Sequence, residues 1–544
     1  MRPGGRGWLI ATGGIALLVL MPVAALVWTA LGGDASLWPH LLRHVLPPTI
    51  LDTLLMLAGT GLLVIAIGTG SAWLVTAYDF RGRALLDWAL LLPLAVPTYI
   101  VAYAYMDILH PIGPLQTGLR ALLGLEGPRD LQLPDIRSLW GCVLLLGFVL
   151  YPYVYLTTRA MFLMQSASLL EAARTLGQGR HGMFLRVALP LARPAVAVGA
   201  SLALMEAIND IGASEFLGVR TLTTSIYATW VNRSDLAGAA QIALTLLVIV
   251  AALLLLERAG RRRQRYNLSA QRARRMAPQR LRGWRAGTAF TLGFLPVLIG
   301  FLAPAIYLVG ESVKRFRFAG FPPGLLEVTW NTVWLASLAT VVTLLLGLVV
   351  AWSVRLRPGP LSRTLERGAS LGYAVPGTVL AIGLLLPLGW LDGWLGDTLE
   401  DHFGIVTGLL ILGSGAALIY AYAARFLAVS TGSLESGLSR VPPSLDQAAR
   451  TLGETPGGML RRVHLPLIRP ALAAAALLVF VDCMKELPAT LLLRPLNLET
   501  LATTLYAEAA RGTYEEGAIA ALIIVLAGLL PVILLARVGR TETG

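Results

Sequence analysis

Four carboxylates lie in otherwise apolar stretches of this chain, with the same spacing in two places. Glu206 and Asp210 are four residues apart in "LMEAINDIGASEFLG", and Asp482 and Glu486 are four residues apart in "FVDCMKELPATLLLRP". Residues at i and i+4 share one face of a helix. Carboxylates are hard oxygen ligands that suit hard cations, and charges inside a membrane are functional hypotheses by default. The pattern predicts a cation path. The alternative is that these acids are wetted span ends, with Lys485 neutralising a neighbour.

The other reactive side chains form no recognisable catalytic or metal site. The six histidines are scattered, and Cys142 and Cys483 are far apart, so no metal-binding spacing or disulfide framework is present. The only lysines are Lys314 and Lys485, and neither follows the glycine-rich loop that holds nucleotide phosphates. We therefore expect no ATP hydrolysis, no resident metal and no cofactor in this chain. A membrane-embedded enzyme is disfavoured.

The composition predicts an all-α integral membrane protein. Hydrophobic residues make up 56% of the 544, charged residues 14%, and the mean hydropathy is +0.70. Soluble domains carry about 25% charged residues. Many apolar stretches reach about 20 residues, enough for a helix to cross the hydrocarbon core. We expect about twelve spans, at 8–30, 53–76, 87–108, 139–158, 192–212, 238–256, 287–310, 331–354, 370–390, 404–426, 469–487 and 516–537.

The net charge of +13 is concentrated in loops that share one side of the membrane. Eleven arginines lie between Arg258 and Arg285 with no acid among them. The acidic loop "GWLDGWLGDTLEDHFG" falls on the opposite side. Because cytoplasmic loops carry the excess of basic residues, this distribution predicts that both termini are cytoplasmic. It argues against nucleic acid as a partner. We expect the partners on these surfaces to include membrane lipids.

A long repeat divides the chain into two halves. "EAARTLGQGRHGMFLRVALPLARPA" returns as "QAARTLGETPGGMLRRVHLPLIRPA" after 447 − 171 = 276 residues, with 16 of 25 positions identical. We expect a first half at 1–256, a basic linker at 257–286 and a second half at 287–544. Six spans per half give both halves the same orientation. They should then be related by a pseudo-two-fold axis along the membrane normal, with the functional site near their interface.

Each copy of the repeat carries two adjacent alanines and, four residues later, a glycine. Paired alanines allow close backbone approach, and a glycine can end or bend a helix. An amphipathic helix lying on the membrane surface is the simplest interpretation of one copy. The residues concerned are Glu171, Ala172, Ala173 and Gly177 in the first copy and Gln447, Ala448, Ala449 and Gly453 in the second.

This pattern closely resembles the EAA loop of ATP-binding-cassette importer permeases: glutamate-alanine-alanine, three residues, glycine, nine residues, an aliphatic, any residue, then leucine-proline. Both copies, at 171–190 and 447–466, fit the spacing. The resemblance implies that each forms a coupling helix seated in one of two copies of a cytoplasmic ATPase, which would hold ATP and magnesium. It also implies a periplasmic or lipid-anchored substrate-binding protein. The second copy begins with Gln447, so a salt bridge from that position is available only through Glu171.

A further resemblance concerns the cargo. "GVRTLTTSIYATW" and "MKELPATLLLRP" look like the corresponding stretches of ferric-iron permeases whose two halves are fused in one chain. This implies iron(III) import across a bacterial inner membrane by alternating access. Fused permeases for thiamine or aminoethylphosphonate share the architecture, so these cargoes and polyamines remain open. An ion-coupled secondary transporter could use the acids as relays, but it would have no ATPase for the paired loops to dock.

Overall fold

The computed structural model describes residues 6–32, 37–125, 127–164, 175, 179–262 and 278–541. Within these residues, ten helices are long and apolar enough to cross a membrane. Two further helix pairs pass the same test together but are bent by 93° and 80° at a short break. The predicted all-α membrane protein with about twelve spans is confirmed, since the count reaches twelve when each bent pair is one span. The pseudo-two-fold relation between the halves stays a prediction.

The helices follow one another with short connections. In the first half they are Arg6–Gly32, Leu37–His40, Leu46–Ala77, Arg83–Ala89, Thr98–Ile108, Pro114–Leu123, Leu139–Met164, Arg180–Met183, Leu189–Asn209, Gly212–Phe216, Leu222–Tyr227 and Leu236–Arg262. In the second half they are Trp284–Val297, Ala303–Ala319, Leu325–Leu356, Pro360–Ala369, Gly377–Phe403, Ala416–Ser439, Pro443–Thr451, Pro456–Met459, Leu465–Leu467, Arg469–Met484, Pro488–Leu493, Leu501–Arg511 and Tyr514–Thr541.

Several junctions depart from α-helical geometry. The π-helical segments are Leu41–Val45, Phe184–Ala188, Ala228–Asn232, Leu298–Leu302 and Leu460–His464, and the 3-10 segments are Leu92–Ala95 and Leu371–Ala374. Two very short strands, Tyr78–Asp79 and Gln279–Arg280, pair in parallel with Tyr78 opposite Gln279. The strand pair ties the end of the basic stretch to the end of the second span.

The chain forms two compact units that do not follow the order of the sequence. Unit I contains the residues up to His44, Ser225–Leu247 and Phe321–Ala507. Unit II contains Val45–Thr224, Val248–Gly320 and the residues from Glu508 onward. Each unit therefore combines the middle helices of one half with outer helices of the other half.

In unit I, the first helix of the chain packs among helices of the second half. Arg6–Gly32 lies against Gly377–Phe403, Pro360–Ala369 and Leu325–Leu356. The hydroxyl of Tyr420 donates a 2.6 Å hydrogen bond to the carbonyl oxygen of Leu18. Because the first helix is apolar on every side, one face can pack on protein while the other lies in lipid. In unit II, Ala303–Ala319 packs in the corresponding way against Thr98–Ile108 and Tyr514–Thr541.

Glycines allow close contacts between helices at equivalent places in both halves. A Cβ at Gly68 would lie 2.7 Å from Val154 Cβ, and a Cβ at Gly347 would lie 2.2 Å from Ser430 Oγ. The glycines are 347 − 68 = 279 residues apart and their partners 430 − 154 = 276 apart. Small residues of this kind let membrane helices approach closely. The sequence repeat is therefore also a repeat of packing.

Several predicted spans differ from the structure in their boundaries; the one expected at 370–390, for example, is the helix Gly377–Phe403. The span expected at 404–426 is the helix Ala416–Ser439, because the residues before it form a loop. The buried carboxylate of Asp392 fixes this loop by accepting hydrogen bonds of 2.9, 2.7 and 2.9 Å from three successive backbone amides, Leu410 to Leu412. The span expected at 87–108 is broken, with 93° between Arg83–Ala95 and Thr98–Ile108.

Candidate functional site

The helix of the second EAA loop, Pro443–Thr451, has a well-defined start and end. Proline occupies its first position, where the missing amide proton is not needed. At its end, Gly453 has φ +81°, and the amides of Gly453 and Glu454 donate to the carbonyls of Arg450 and Ala449. This is a Schellman ending, which favours glycine because an L side chain is strained at positive φ. The predicted helix end at Gly453 is confirmed.

The chain then turns back toward the membrane. Thr455 caps the short helix Pro456–Met459, its hydroxyl oxygen accepting a 3.1 Å hydrogen bond from the Gly458 amide. The run continues through Leu460–His464 and Leu465–Leu467, and Arg469–Met484 follows at an 80° bend.

Only one alanine of the second pair faces the protein. Ala449 is buried in an apolar cluster with Trp352, Leu438, Met459 and Leu460. Gln447 and Ala448 are exposed, as is Leu452, which is 84% accessible. The helix therefore has one apolar inner face and one exposed outer face.

An acid that the sequence analysis missed holds this helix in place. Asp446 receives two hydrogen bonds from the guanidinium of Arg355, at 3.1 and 3.0 Å, and its Oδ1 lies 2.8 Å from Nε2 of His464. The same guanidinium donates to the carbonyl oxygens of Leu438 and Val441, the latter at 2.9 Å. His464 is fully buried, with its ring 4.7 Å from that of Trp352. We name Arg355, Asp446 and His464 the loop clamp.

The contacts of Asp446 show whether it replaces the glutamate that is missing at Gln447. Asp446 directly precedes Gln447, the neutral residue at the position that Glu171 has in the first loop. It could therefore have supplied the missing negative charge. Its side chain is only 16% exposed and points to Arg355 and His464, so it does not supply an outward charge. The sequence carries no local signal for this contact, because Arg355 lies 91 residues before Asp446.

The first EAA loop cannot be compared residue by residue. Glu171, Ala172, Ala173 and Gly177 lie outside the described residues. Their role in coupling stays a prediction.

Asp210 and Glu486 are the second acids of the two i, i+4 pairs in the membrane, and both cap a short helix. Asp210 accepts hydrogen bonds from the amides of Ala213 and Ser214 at 2.8 and 3.1 Å and from the hydroxyl of Thr98. Each acid lies where its span breaks, so the carboxylate satisfies amides that have no partner within the helix.

The second-half acid adds a cation to the same design. Glu486 accepts hydrogen bonds from the amides of Ala489 and Thr490, both at 3.0 Å, and from the Thr490 hydroxyl at 2.7 Å. Its side chain is 1% exposed and also forms a 3.0 Å ion pair with Arg425. Asp210 and Glu486 thus have a structural role in these contacts.

Glu206 and Asp482, the first acids of the two pairs, have different surroundings. Glu206 is half-buried near the end of Leu189–Asn209 and has no hydrogen-bond or ion-pair partner among the described residues. Asp482 forms a 2.9 Å ion pair with Lys485, as the alternative interpretation expected. No three histidine, cysteine or acidic side chains come together as a metal site in the part of the chain that the structure describes.

Comparison with known proteins agrees with the paired design. Residues 63–266 and 343–540 each match the family described as binding-protein-dependent transport system inner membrane component. The chain is 24% identical to the Fe(3+)-transport system permease protein FbpB 2 of Haemophilus influenzae over 505 residues, 91% of each chain. It is 30% identical over 259 residues to the probable molybdenum ABC transporter permease of Haloferax volcanii, covering 47% of this chain and 90% of that one.

Similarity to the molybdenum transport system permease protein ModB of Escherichia coli is 29% over 205 residues, covering 35% of this chain and 86% of that protein. The molybdenum relatives thus correspond to half of this chain or less, whereas the iron relative corresponds to nearly all of it. The family match covers well over half of the residues and occurs twice. The chain belongs to the inner-membrane permease family of binding-protein-dependent ATP-binding-cassette importers, with two permease units fused in one polypeptide.

Proposed function

We propose that this permease imports iron(III) by alternating access, with both termini in the cytoplasm. The observation that carries the cargo is the match over 91% of both chains to a permease named for Fe(3+) transport. The motif "KELPATLLLRP" supports the fold more than the cargo, because Glu486 and Thr490 in it cap a helix. Cargo identity therefore rests on the full-length relative.

We further propose that ATP is bound and hydrolysed, with magnesium, on two copies of a separate ATPase. Each copy would receive one EAA loop. The exposed residues Gln447, Ala448 and Leu452 would provide the contact made by the second loop. Closure of the ATPase pair would draw the loops together and bias the permease toward its outward-open state, since coupling requires differential binding to two states.

Of the four acids, Glu206 and Asp482 are the better candidates for contact with the cargo. Asp210 and Glu486 already use their oxygens for amides, a hydroxyl or an arginine. Glu206 has no such partner among the described residues. Asp482 forms an ion pair with Lys485, and both side chains of that pair are partly exposed. A hard cation would find free carboxylate oxygens at these two positions.

The experiment is uptake of radiolabelled iron(III) by proteoliposomes that contain the permease, its cognate ATPase and its binding protein. ATP-dependent uptake of iron, with no competition from molybdate or sulfate, is the expected result. The double variant Glu206→Gln/Asp482→Asn should lose uptake while it retains basal ATP hydrolysis. The variant Glu515→Gln, an exposed acid that follows Tyr514 at the start of the last helix, is the matched control.

Three results would change the proposal. Iron uptake by both the parent and the double variant would keep the cargo and remove the carboxylate path. Uptake of an oxyanion in place of iron would assign the chain to the cargo class of its half-length relatives. An ATPase-competent complex that carries neither would point to thiamine, aminoethylphosphonate or a polyamine.

A further inference from the structure

The loop clamp joins three separate parts of unit I. Arg355 lies near the end of the membrane helix Leu325–Leu356, Asp446 lies on the loop helix, and His464 begins the return to the membrane. The contacts of Asp446 with Arg355 and His464 are 2.8 to 3.1 Å long, and the contact with Arg355 is a bidentate arginine–carboxylate pair. Such pairs fix orientation as well as distance because the guanidinium is planar.

Little else holds the loop helix from within. Ala449 is the buried residue on the helix Pro443–Thr451, and an alanine offers a small contact area. The clamp therefore decides the angle at which the exposed face is presented. A buried ion pair is a weak source of net stability but can specify one arrangement.

The first half carries different residues at the equivalent positions. Trp73 and Trp352 are 352 − 73 = 279 residues apart, and the same offset pairs Arg355 with Thr76. The offset of the EAA repeat, 276, pairs Asp446 with Leu170 and His464 with Ala188. Thr76 donates its hydroxyl to a carbonyl of its own helix, at 2.7 Å from the oxygen of Ala72. The first half therefore cannot form the same ionic clamp.

We propose that Asp446 is a positioning residue that makes the second EAA loop move as one body with its membrane helices, so that the two loops couple unequally. This rests on the proposed function, in which the loops dock an ATPase. The first loop carries the charged residue Glu171 at the position where the second has Gln447. The second loop would transmit motion through the clamp, whereas the first half has uncharged residues at the three equivalent positions.

The test uses variants that remove the clamp with and without leaving a buried charge. Asp446→Asn leaves Arg355 without its counter-charge. The triple variant Arg355→Thr/Asp446→Leu/His464→Ala installs the residues of the first half and removes all three polar groups together. Arg355→Lys keeps the charge but cannot form the bidentate contact. It decides the question should the other two fail to accumulate in the membrane.

Two readouts are measured: the mobility of the loop on the full-length permease before the ATPase is added, because Leu452 belongs to the proposed contact, and coupling on the unlabelled permease–ATPase complex. A spin label at Leu452→Cys reports the mobility of the loop, and the label is selective because Cys142 and Cys483 are buried. The second readout is iron taken up per ATP hydrolysed. We expect the label to become more mobile in the clamp variants, and uptake per ATP to fall by about fivefold or more. A merely structural role would lower the amount of folded protein without changing this ratio.

Unchanged mobility and an unchanged uptake ratio in the triple variant would overturn the proposal. So would increased mobility with normal coupling, since the clamp would then hold the loop without transmitting anything. Failure of the proposed function looks different. The unsubstituted permease would then show no ATP-driven uptake and no ATPase docking, while the label at position 452 would still report whether the clamp restrains the loop.

Discussion

Arg425 Nη1 lies 3.0 Å from Glu486 Oε1, although 61 residues separate them in sequence. Both side chains are buried, at 9% and 1% exposure. Among the described residues the equivalent acid of the first half, Asp210, forms no such pair and instead accepts the hydroxyl of Thr98. Two halves with one ancestral pattern therefore stabilise the same broken span by different means.

The first prediction compares removal of charge at these two acids. Glu486→Gln should lower stability by about 3–5 kcal/mol, because it breaks the buried 3.0 Å ion pair with Arg425. Asp210→Asn should cost only about 1–3 kcal/mol, since the loss there is of hydrogen bonds and not of an ion pair. Thermal unfolding of the purified permease in detergent measures both. Equal losses for the two variants would contradict this account of the difference.

The second prediction concerns the space beside this ion pair. A Cβ at Gly377 would lie 2.3 Å from Arg425 Nη1 and 2.8 Å from Glu486 Oε1. Gly377→Ala should therefore destabilise by about 1–3 kcal/mol, the usual cost of overpacking. Gly432→Ala is the control, because a Cβ there meets nothing within 4 Å and alanine favours a helix. A melting temperature unchanged by Gly377→Ala would show that the ion pair has room to move.

The third prediction concerns the end of the second loop helix. Gly453→Ala places a side chain at φ +81° and should cost about 1–2 kcal/mol locally. Because the strain falls at the proposed docking surface, we expect binding of the ATPase, measured by titration against the reconstituted permease, to weaken. Gly457→Ala is the matched control on the same loop, with open space around its Cβ and no positive φ. Equal binding by the two variants would exclude a role for the Schellman ending.

The fourth prediction concerns one acidic position that has an arginine partner in the first half and no salt bridge with the described residues in the second. Asp87 forms a pair with Arg159 at 2.5 and 2.6 Å and accepts the Tyr155 hydroxyl at 2.9 Å. Its equivalent, Glu366 (366 − 87 = 279), forms no salt bridge with the described residues. Burial raises the pKa of the Glu366 carboxyl, and Arg367 opposes this in part.

A raised pKa means that ionisation of Glu366 is less favourable in the folded than in the unfolded protein. The cost to stability is thus present once the carboxyl is ionised and disappears as the pH falls and it is protonated. We expect Glu366→Gln to raise the melting temperature at pH 8 by about 1–3 °C and to leave it unchanged in acid. Asp87→Asn should lower it at pH 8. A gain from Glu366→Gln that is equal at both pH values would refute the charge explanation.

The sequence by itself determined the membrane class, the span number and the duplication, because each depends on local composition or on similarity along the chain. It also determined where the second loop helix ends, since a glycine at positive φ is a local requirement. The four membrane acids were found for the same reason, as charges among apolar neighbours.

Only the tertiary structure decided what those acids contact. Asp210 and Glu486 look alike in sequence, yet one meets Thr98 and the other Arg425, partners that are 112 and 61 residues away. The clamp on Asp446 reaches 91 residues back to Arg355. The exchange of outer helices between the two units is equally invisible in the repeat. Apolar faces specify that a helix must be buried or face lipid, and the choice of partner is made by shape and by charges brought together only in the folded chain.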